Sequence, residues 1–165
     1  PAKRWLPERF AEVIRAVSER HSVEWTLVGV AKDGPIGTEI EHGLRGAGVT
    51  LHNRIGSTSL NELIALLRQS DLLLTNDTGT MHLAASLGVR VVAVFGSTDA
   101  TLTGPLGTGH RVLQHRVPCG PCFQRECHLD FACMQGVDVA QVVSAVESLI
   151  PAGGSGEKGS PHAAR

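Results

Sequence analysis

The stretch "LLLTNDTGTMHLAASLGVRVVAVFG", Leu72 to Gly96, decides how the chain folds. It opens on an apolar run and stops on Thr-Asn-Asp-Thr-Gly. It then shows helical spacing up to Gly88, and ends in a second apolar run. The first run, "DLLLT" (71–75), predicts a strand. Gly79 to about Leu87 predicts a helix, with Gly88 as its stop. "RVVAVFG" predicts another strand. Strands that are apolar throughout are buried on both faces, which is the habit of parallel sheets. Strand, helix and strand at this pitch predict an α/β doubly wound layer.

The flanks extend the pattern. Pro7 to Arg20 predicts an amphipathic helix, with Pro7 suited to the first turn and Phe10, Val13, Ile14 and Val17 on one face. His21 to Val30, centred on "WTLVGV", predicts a strand. Gly34, Pro35 and Gly37 predict a turn before a helix running through Leu44. Val49 to Leu51 predicts a short strand. In "GSTSLNELIALLRQS" (56–70), Thr58 or Ser59 can cap a helix, and Glu62 completes a capping box if Ser59 is the cap. "HRVLQHRV" (110–117) predicts a further strand, and Val137 to Ile150 a final helix. The Gly/Ser/Pro-rich end, 151–165, is expected to be a disordered tail. There is no internal repeat.

The totals bound the function. The chain has 165 residues, 42% of them hydrophobic, enough for one domain with a core. A formal net charge of -1 argues against a nucleic-acid footprint, which needs a basic face. No apolar run has membrane-spanning length and no signal-peptide pattern opens the chain. These features predict a cytoplasmic chain, at most peripheral to the inner membrane.

In an open parallel sheet, ligands sit beyond the carboxyl ends of the strands. The helix after "LLLTNDTG" exposes unpaired backbone N–H groups and the positive end of its dipole. That makes an anion site suited to phosphate. Gly79 lets a ligand approach the backbone, Thr78 and Thr80 supply hydroxyls, and His82 lies one turn further on. The plainer reading is a helix start, since Asn76, Asp77 and Thr78 are all good caps. "FGSTDATLTGP" (95–105) leaves the neighbouring strand with Ser97, Thr98, Thr101 and Thr103, so two polar loops describe a crevice. Lys3 is a further cation able to neutralise a diphosphate.

"KRWLPERFAEVI", "VGVAKDGPIGTEI", the 72–105 stretch and "CGPCFQRECHLDFACM", in that order, resemble glycosyltransferase family 9, the ADP-heptose:lipopolysaccharide heptosyltransferases, and look closest to the heptosyltransferase II type. The resemblance covers about residues 1–150. It implies a Rossmann-like sheet, the C-terminal half of a GT-B glycosyltransferase. Residues 1–150 would be the nucleotide-sugar (donor) binding domain, with a Cys-rich loop at 118–134. The N-terminal half, which takes the acceptor and carries the base, would lie outside this chain. The fragment alone would then be inactive.

Residue by residue, the resemblance implies that Lys3 contacts the donor phosphates. Thr78 and Gly79 would serve the diphosphate, Asp77 the sugar, and His82 would face the phosphates. Asp33 falls near the acid that holds the adenosine ribose. The family often reads "KRWP" where this chain has "KRWLP", so the lysine is kept on a loop one residue longer. The implied chemistry is inverting transfer of heptose from ADP-heptose to a lipopolysaccharide core acceptor, with no metal or cofactor required for catalysis. Alternatives are a nucleotide-sugar-binding module without activity of its own, a GT-B enzyme using another nucleotide sugar, and a redox α/β domain working through its cysteines. Against the last, no G-x-G-x-x-G follows the first strand.

The four cysteines, Cys119, Cys122, Cys127 and Cys133, are spaced C-x2-C-x4-C-x5-C. A C-x2-C pair is a usual zinc half-site, and His128 could replace one thiol. Iron–sulfur ligation also suits four thiolates. Buried apolar thiols and a disulfide are the other readings. A bound metal is expected to be structural.

Overall fold

The computed structural model describes residues 2–151. In chain order the elements are α1 (Pro7–Ser18), β1 (Glu24–Leu27), α2 (Gly34–Gly43), β2 (Thr50–Asn53), α3 (Leu60–Gln69), β3 (Leu72–Asn76), α4 (Gly79–Ser86), β4 (Arg90–Phe95), α5 (Ala100–Thr103), β5 (Arg111–Gln114), α6 (Ala132–Gln135) and α7 (Val139–Glu147). A single 3₁₀ turn, Ala31–Asp33, runs directly into α2. All strand pairing is parallel. The ladders fall into a pair, β1–β2, and a triplet, β3–β4–β5, with β4 in the centre.

The parallel α/β architecture expected from the sequence is the one the chain adopts, and β4 shows why it is doubly wound. Every residue from Val91 to Phe95 is fully buried. Side chains alternate between the two faces of a strand. Val92 and Val94 join a cluster with Val13 and Val17 of α1 and Val142, Val143 and Val146 of α7. Val91, Ala93 and Phe95 join another with Leu67 of α3 and Met81 and Ala84 of α4. One strand thus feeds two cores, which is why its sequence is apolar without interruption. A third cluster sets Ala11 and Ile14 of α1 against Ile40 and Leu44 at the α2 end, with Trp25, Leu27 and Leu51 packed on it. Gly43 is bare where the two helices meet: a Cβ there would stand 2.9 Å from Ala11 Cβ.

Several local expectations are corrected. Gly34, Pro35 and Gly37 do not form a turn. They are the first residues of α2, with Pro35 in the first helical turn, where its missing N–H costs nothing. Gly37 sits close under Ile55: a Cβ there would come within 2.6 Å of Ile55 Cδ1, so that side chain would have to move. The first strand is four residues long, not ten. The 95–105 loop contains the short helix α5, started by Asp99, whose carboxylate accepts from Thr101 N. The last helix begins at Val139, because Asp138 caps it through Ala140 N. The remainder of the expected tail, 152–165, lies outside the described residues.

Of the two candidate caps for α3, Ser59 is the one used. Its hydroxyl accepts from Glu62 N, and the Glu62 carboxylate accepts from Ser59 N at 2.7 Å and Ser59 Oγ at 2.6 Å. These bonds hold the Glu62 pKa below the ordinary carboxylate value. A folded pKa lowered in this way gives stability that is complete above the unfolded pKa and lost as pH falls through the folded one. We therefore expect Glu62→Gln to flatten part of the stability loss between about pH 5 and pH 3. Urea denaturation at stepped pH values checks this, and an unchanged slope would contradict it.

Candidate functional site

The carboxyl ends of β1, β3 and β4 carry the polar residues that the sequence singled out. Residues 3–5 run across the ends of β1 and β3 as a strap with three consecutive anchors. Lys3 Nζ donates to Asp77 Oδ2 at 2.6 Å. Arg4 Nη2 donates to Asp33 Oδ1 at 2.7 Å. Trp5 N donates to Asn76 Oδ1 at 2.9 Å. The Trp5 ring is buried and packs edge-on against Phe10 of α1, with centroids 5.2 Å apart. The strap is therefore fastened at both backbone and side-chain level before any ligand arrives.

The Asn76-Asp77-Thr78 triplet divides its work. Only Thr78 caps α4, its hydroxyl accepting from Met81 N and lying 3.2 Å from Thr75 Oγ1. Asn76 holds the strap backbone. Asp77 is turned inward: its side chain is 6% exposed, and Oδ2 accepts from both Lys3 Nζ and Thr98 Oγ1, the latter at 2.8 Å. Thr98 is itself fixed from below, where Gln114 Nε2 donates to its carbonyl at 2.6 Å. The three cap candidates of the sequence are thus one cap and two tethers.

What remains open lies around the start of α4. Gly79 and Thr80 are its first two residues, whose N–H groups have no intrahelical acceptor. A Cβ on Gly79 would meet nothing within 4 Å. His82 is exposed, and no hydrogen bond or ion pair engages its ring among the described residues. An ammonium has three donors, so Lys3, 46% exposed, keeps two after meeting Asp77. Lys3, Asp77, Thr78, Gly79 and His82 are thus gathered around one strand end and helix start. Asp33 is set apart from them, at the β1 end, with Arg4 as its partner. Sequence reasoning missed Arg4, Trp5 and Gln114, and gave Asn76 a capping role only. The only sequence signal for the strap was the cation pair Lys3-Arg4 just ahead of a tryptophan.

The four cysteines form a separate feature. All are free thiols, and all four line one small cavity beneath the strap together with Ala2, Gly96 and Ser97. Cys133 is buried, and burial pushes its thiol pKa up. Among the described residues no group of three or more His, Cys, Asp or Glu is placed so that it could hold a metal ion. His128 is exposed and does not line the cavity.

Comparison with known proteins shows the family and the fold. The model of glycosyltransferase family 9 (heptosyltransferase) matches residues 1–132, and the chain belongs to that family. A lipooligosaccharide heptosyltransferase 2 of Campylobacter jejuni is 32% identical over 152 residues, covering 90% of this chain and 47% of that protein. The chain therefore spans about half the length of that relative. Its fold superposes on the Escherichia coli ADP-heptose lps heptosyltransferase II with a TM-score of 0.77 at 27% identity, over 90% of this chain and 42% of that one. A family 9 glycosyl transferase from Veillonella parvula gives 0.76 at 26% identity, over 90% of this chain and 42% of that one. The fold is thus that of the heptosyltransferases, and no helix of the described residues is long and apolar enough to cross a membrane.

Thr98 tests the tether directly. Thr98→Val keeps the shape but takes a donor from a carboxylate that is almost wholly buried. Hydrogen bonds to charged groups contribute about 1.5–3 kcal/mol, so the variant should lose stability in that range by urea denaturation. A change within about 0.5 kcal/mol, the ordinary scatter of surface substitutions, would show that Lys3 alone satisfies Asp77.

Proposed function

We propose that this chain provides the donor site of an inverting heptosyltransferase, binding ADP-heptose through its diphosphate for transfer of the heptose to a lipopolysaccharide core acceptor. The observation that carries the reading is the convergence at the end of β3. A half-exposed lysine is held by a buried aspartate beside an open helix start, with a free histidine one turn on. That set is cationic where it faces outward and pre-positioned where it faces inward.

Each residue has a definable task. The N–H groups of Gly79 and Thr80 and the α4 dipole favour a phosphate oxygen at the helix start. Lys3 supplies a full positive charge with two free donors. His82 can donate to a second phosphate oxygen. Asp77, with Oδ2 already occupied, acts on the diphosphate through Lys3; its other oxygen, Oδ1, is the atom available to a sugar hydroxyl. As the glycosidic bond to the leaving phosphate breaks, negative charge grows on the ADP. Donors fixed in advance stabilise that charge without reorganising at the moment of reaction. No step in this account routes through a metal. The acceptor hydroxyl has no assigned base among these residues. Asp33, paired with Arg4 at the β1 end, is the candidate for the ribose, since a carboxylate can accept from two hydroxyls.

Binding tests the proposal. Calorimetric titration of the chain with ADP, UDP and GDP should give affinity selective for ADP. His82→Ala should weaken ADP binding by at least about tenfold, since a hydrogen bond to a charged group contributes about 1.5–3 kcal/mol, with an unchanged circular dichroism spectrum. Equal binding of all three nucleotides would favour a different nucleotide sugar. Affinity indifferent to His82 would remove the histidine from the site.

A further inference from the structure

The β4–β5 ladder ends on the pair Phe95 and Gln114. Gly96, Ser97 and Thr98 then leave β4 beyond the last paired residue, yet all three of their carbonyls are occupied. Gln114 Nε2 donates to Thr98 O at 2.6 Å, with a longer contact of 3.4 Å to Gly96 O. Phe123 N donates to Ser97 O at 2.8 Å. A carboxamide nitrogen carries two donors, so the Gln114 side chain stands in for the missing rung of the ladder. Met134 fills the space beside Gly96, where a Cβ would come within 2.7 Å of Met134 Cε. The turn out of β4 is therefore held from both the β5 side and the cysteine loop.

This turn carries the hydroxyl that meets the buried carboxylate. Thr98 is 2% exposed, and its Oγ1 donates to Asp77 Oδ2 at 2.8 Å. The same oxygen accepts from Lys3 Nζ at 2.6 Å. A carboxylate with one donor can turn about its terminal torsion, which is broad and two-fold. A second donor, on a fixed backbone, stops that rotation. The lysine then keeps one position at the helix start, although its stem is otherwise flexible.

We propose that Gln114 is a positioning residue for the diphosphate: through Thr98 and Asp77 it holds the Lys3 ammonium where the phosphates bind. Gln114 itself bonds to neither Asp77 nor Lys3 among the described residues. The proposal rests on the donor-site reading above and adds to it a residue two strands away from the lysine. Its physical content is pre-organisation. A cation already in place costs less ordering when the ligand arrives than one that must be found among rotamers. Such a relay counts as coupling only when the two ends are shown to depend on each other.

Two measurements on the whole chain test it. The first needs no ligand. The chain has three lysines, so the Lys3 side-chain ammonium can be followed by nitrogen-15 NMR with exposed Lys32 as the reference. In Gln114→Leu, hydrogen exchange at the Lys3 ammonium should accelerate toward that of Lys32. The second is calorimetric titration with ADP and with adenosine. Gln114→Leu should weaken ADP by about two- to thirtyfold, the span carried by networks of this kind, and leave adenosine unchanged. Repeated on a Lys3→Ala background, the substitution should have no further effect on ADP. Should Gln114→Leu fail to fold, Thr98→Val takes its place, with Thr98→Ser restoring both readouts through its hydroxyl. Unaltered ammonium exchange overturns the proposal. So does a loss of ADP affinity that persists without Lys3, or an equal loss for adenosine, because either marks a general structural effect. An unaltered chain that binds ADP no better than adenosine overturns the donor-site reading instead, and the ammonium exchange distinguishes that failure from a failure of the relay.

Discussion

One carboxylate oxygen organises the functional end of this chain. Asp77 Oδ2 accepts from Lys3 and from Thr98, and so joins three segments that are distant in sequence: the strap before α1, the end of β3 and the loop after β4. A nearly buried carboxylate is costly unless it is both paired and hydrogen-bonded. Here both conditions are met through a single atom. The pairing also solves a positional problem for lysine, whose four-carbon stem is otherwise free to wander. Asn76 repeats the device on the neighbouring position by holding the Trp5 backbone. The cation is thereby placed at the helix start by Asp77, the neighbour of the Thr78 cap.

The rest of the fold supplies a rigid base for that junction. Central strand β4 is buried on both faces, and its two alternating sets of side chains fix α1 and α7 on one side and α3 and α4 on the other. The strap leads directly into α1, so the face of α1 that packs on β4 also sets the height of Lys3 above the sheet. Gln114 of β5 then ties down the Thr98 carbonyl from the adjacent strand. Placement of the site is thus a consequence of parallel strand order, with loops adding only the last few ångströms.

Much of this was legible in the sequence, for reasons that can be stated. The uninterrupted apolar run of β4 read as a strand covered on both faces, and Glu62 three residues after Ser59 marked a capping box if Ser59, not Thr58, was the cap. Asp77, Thr78, Gly79 and His82 were named from the one stretch that carries them, and Lys3 separately as a cation able to meet a diphosphate. What the sequence hid was long-range pairing. Asn76, Asp77 and Thr78 have the same capping chemistry, and nothing local says that two of them reach residues 71 and 74 positions away. Gln114 was invisible because a glutamine in a short edge strand carries no pattern. Gly34-Pro35 read as a turn, but the same pair suits a helix start equally well, and the chain uses it as one.

The central claim is that the start of α4 and the tethered Lys3 together receive a diphosphate. Amide chemical-shift mapping of the isotope-labelled chain, titrated in parallel with ADP and with adenosine, tests it most directly. The account predicts that ADP shifts the Gly79 and Thr80 amides most strongly, with Lys3 and His82 following, and that adenosine leaves those amides nearly in place. Equal shifts from adenosine and ADP, or an ADP footprint away from the β3–α4 junction, would contradict it.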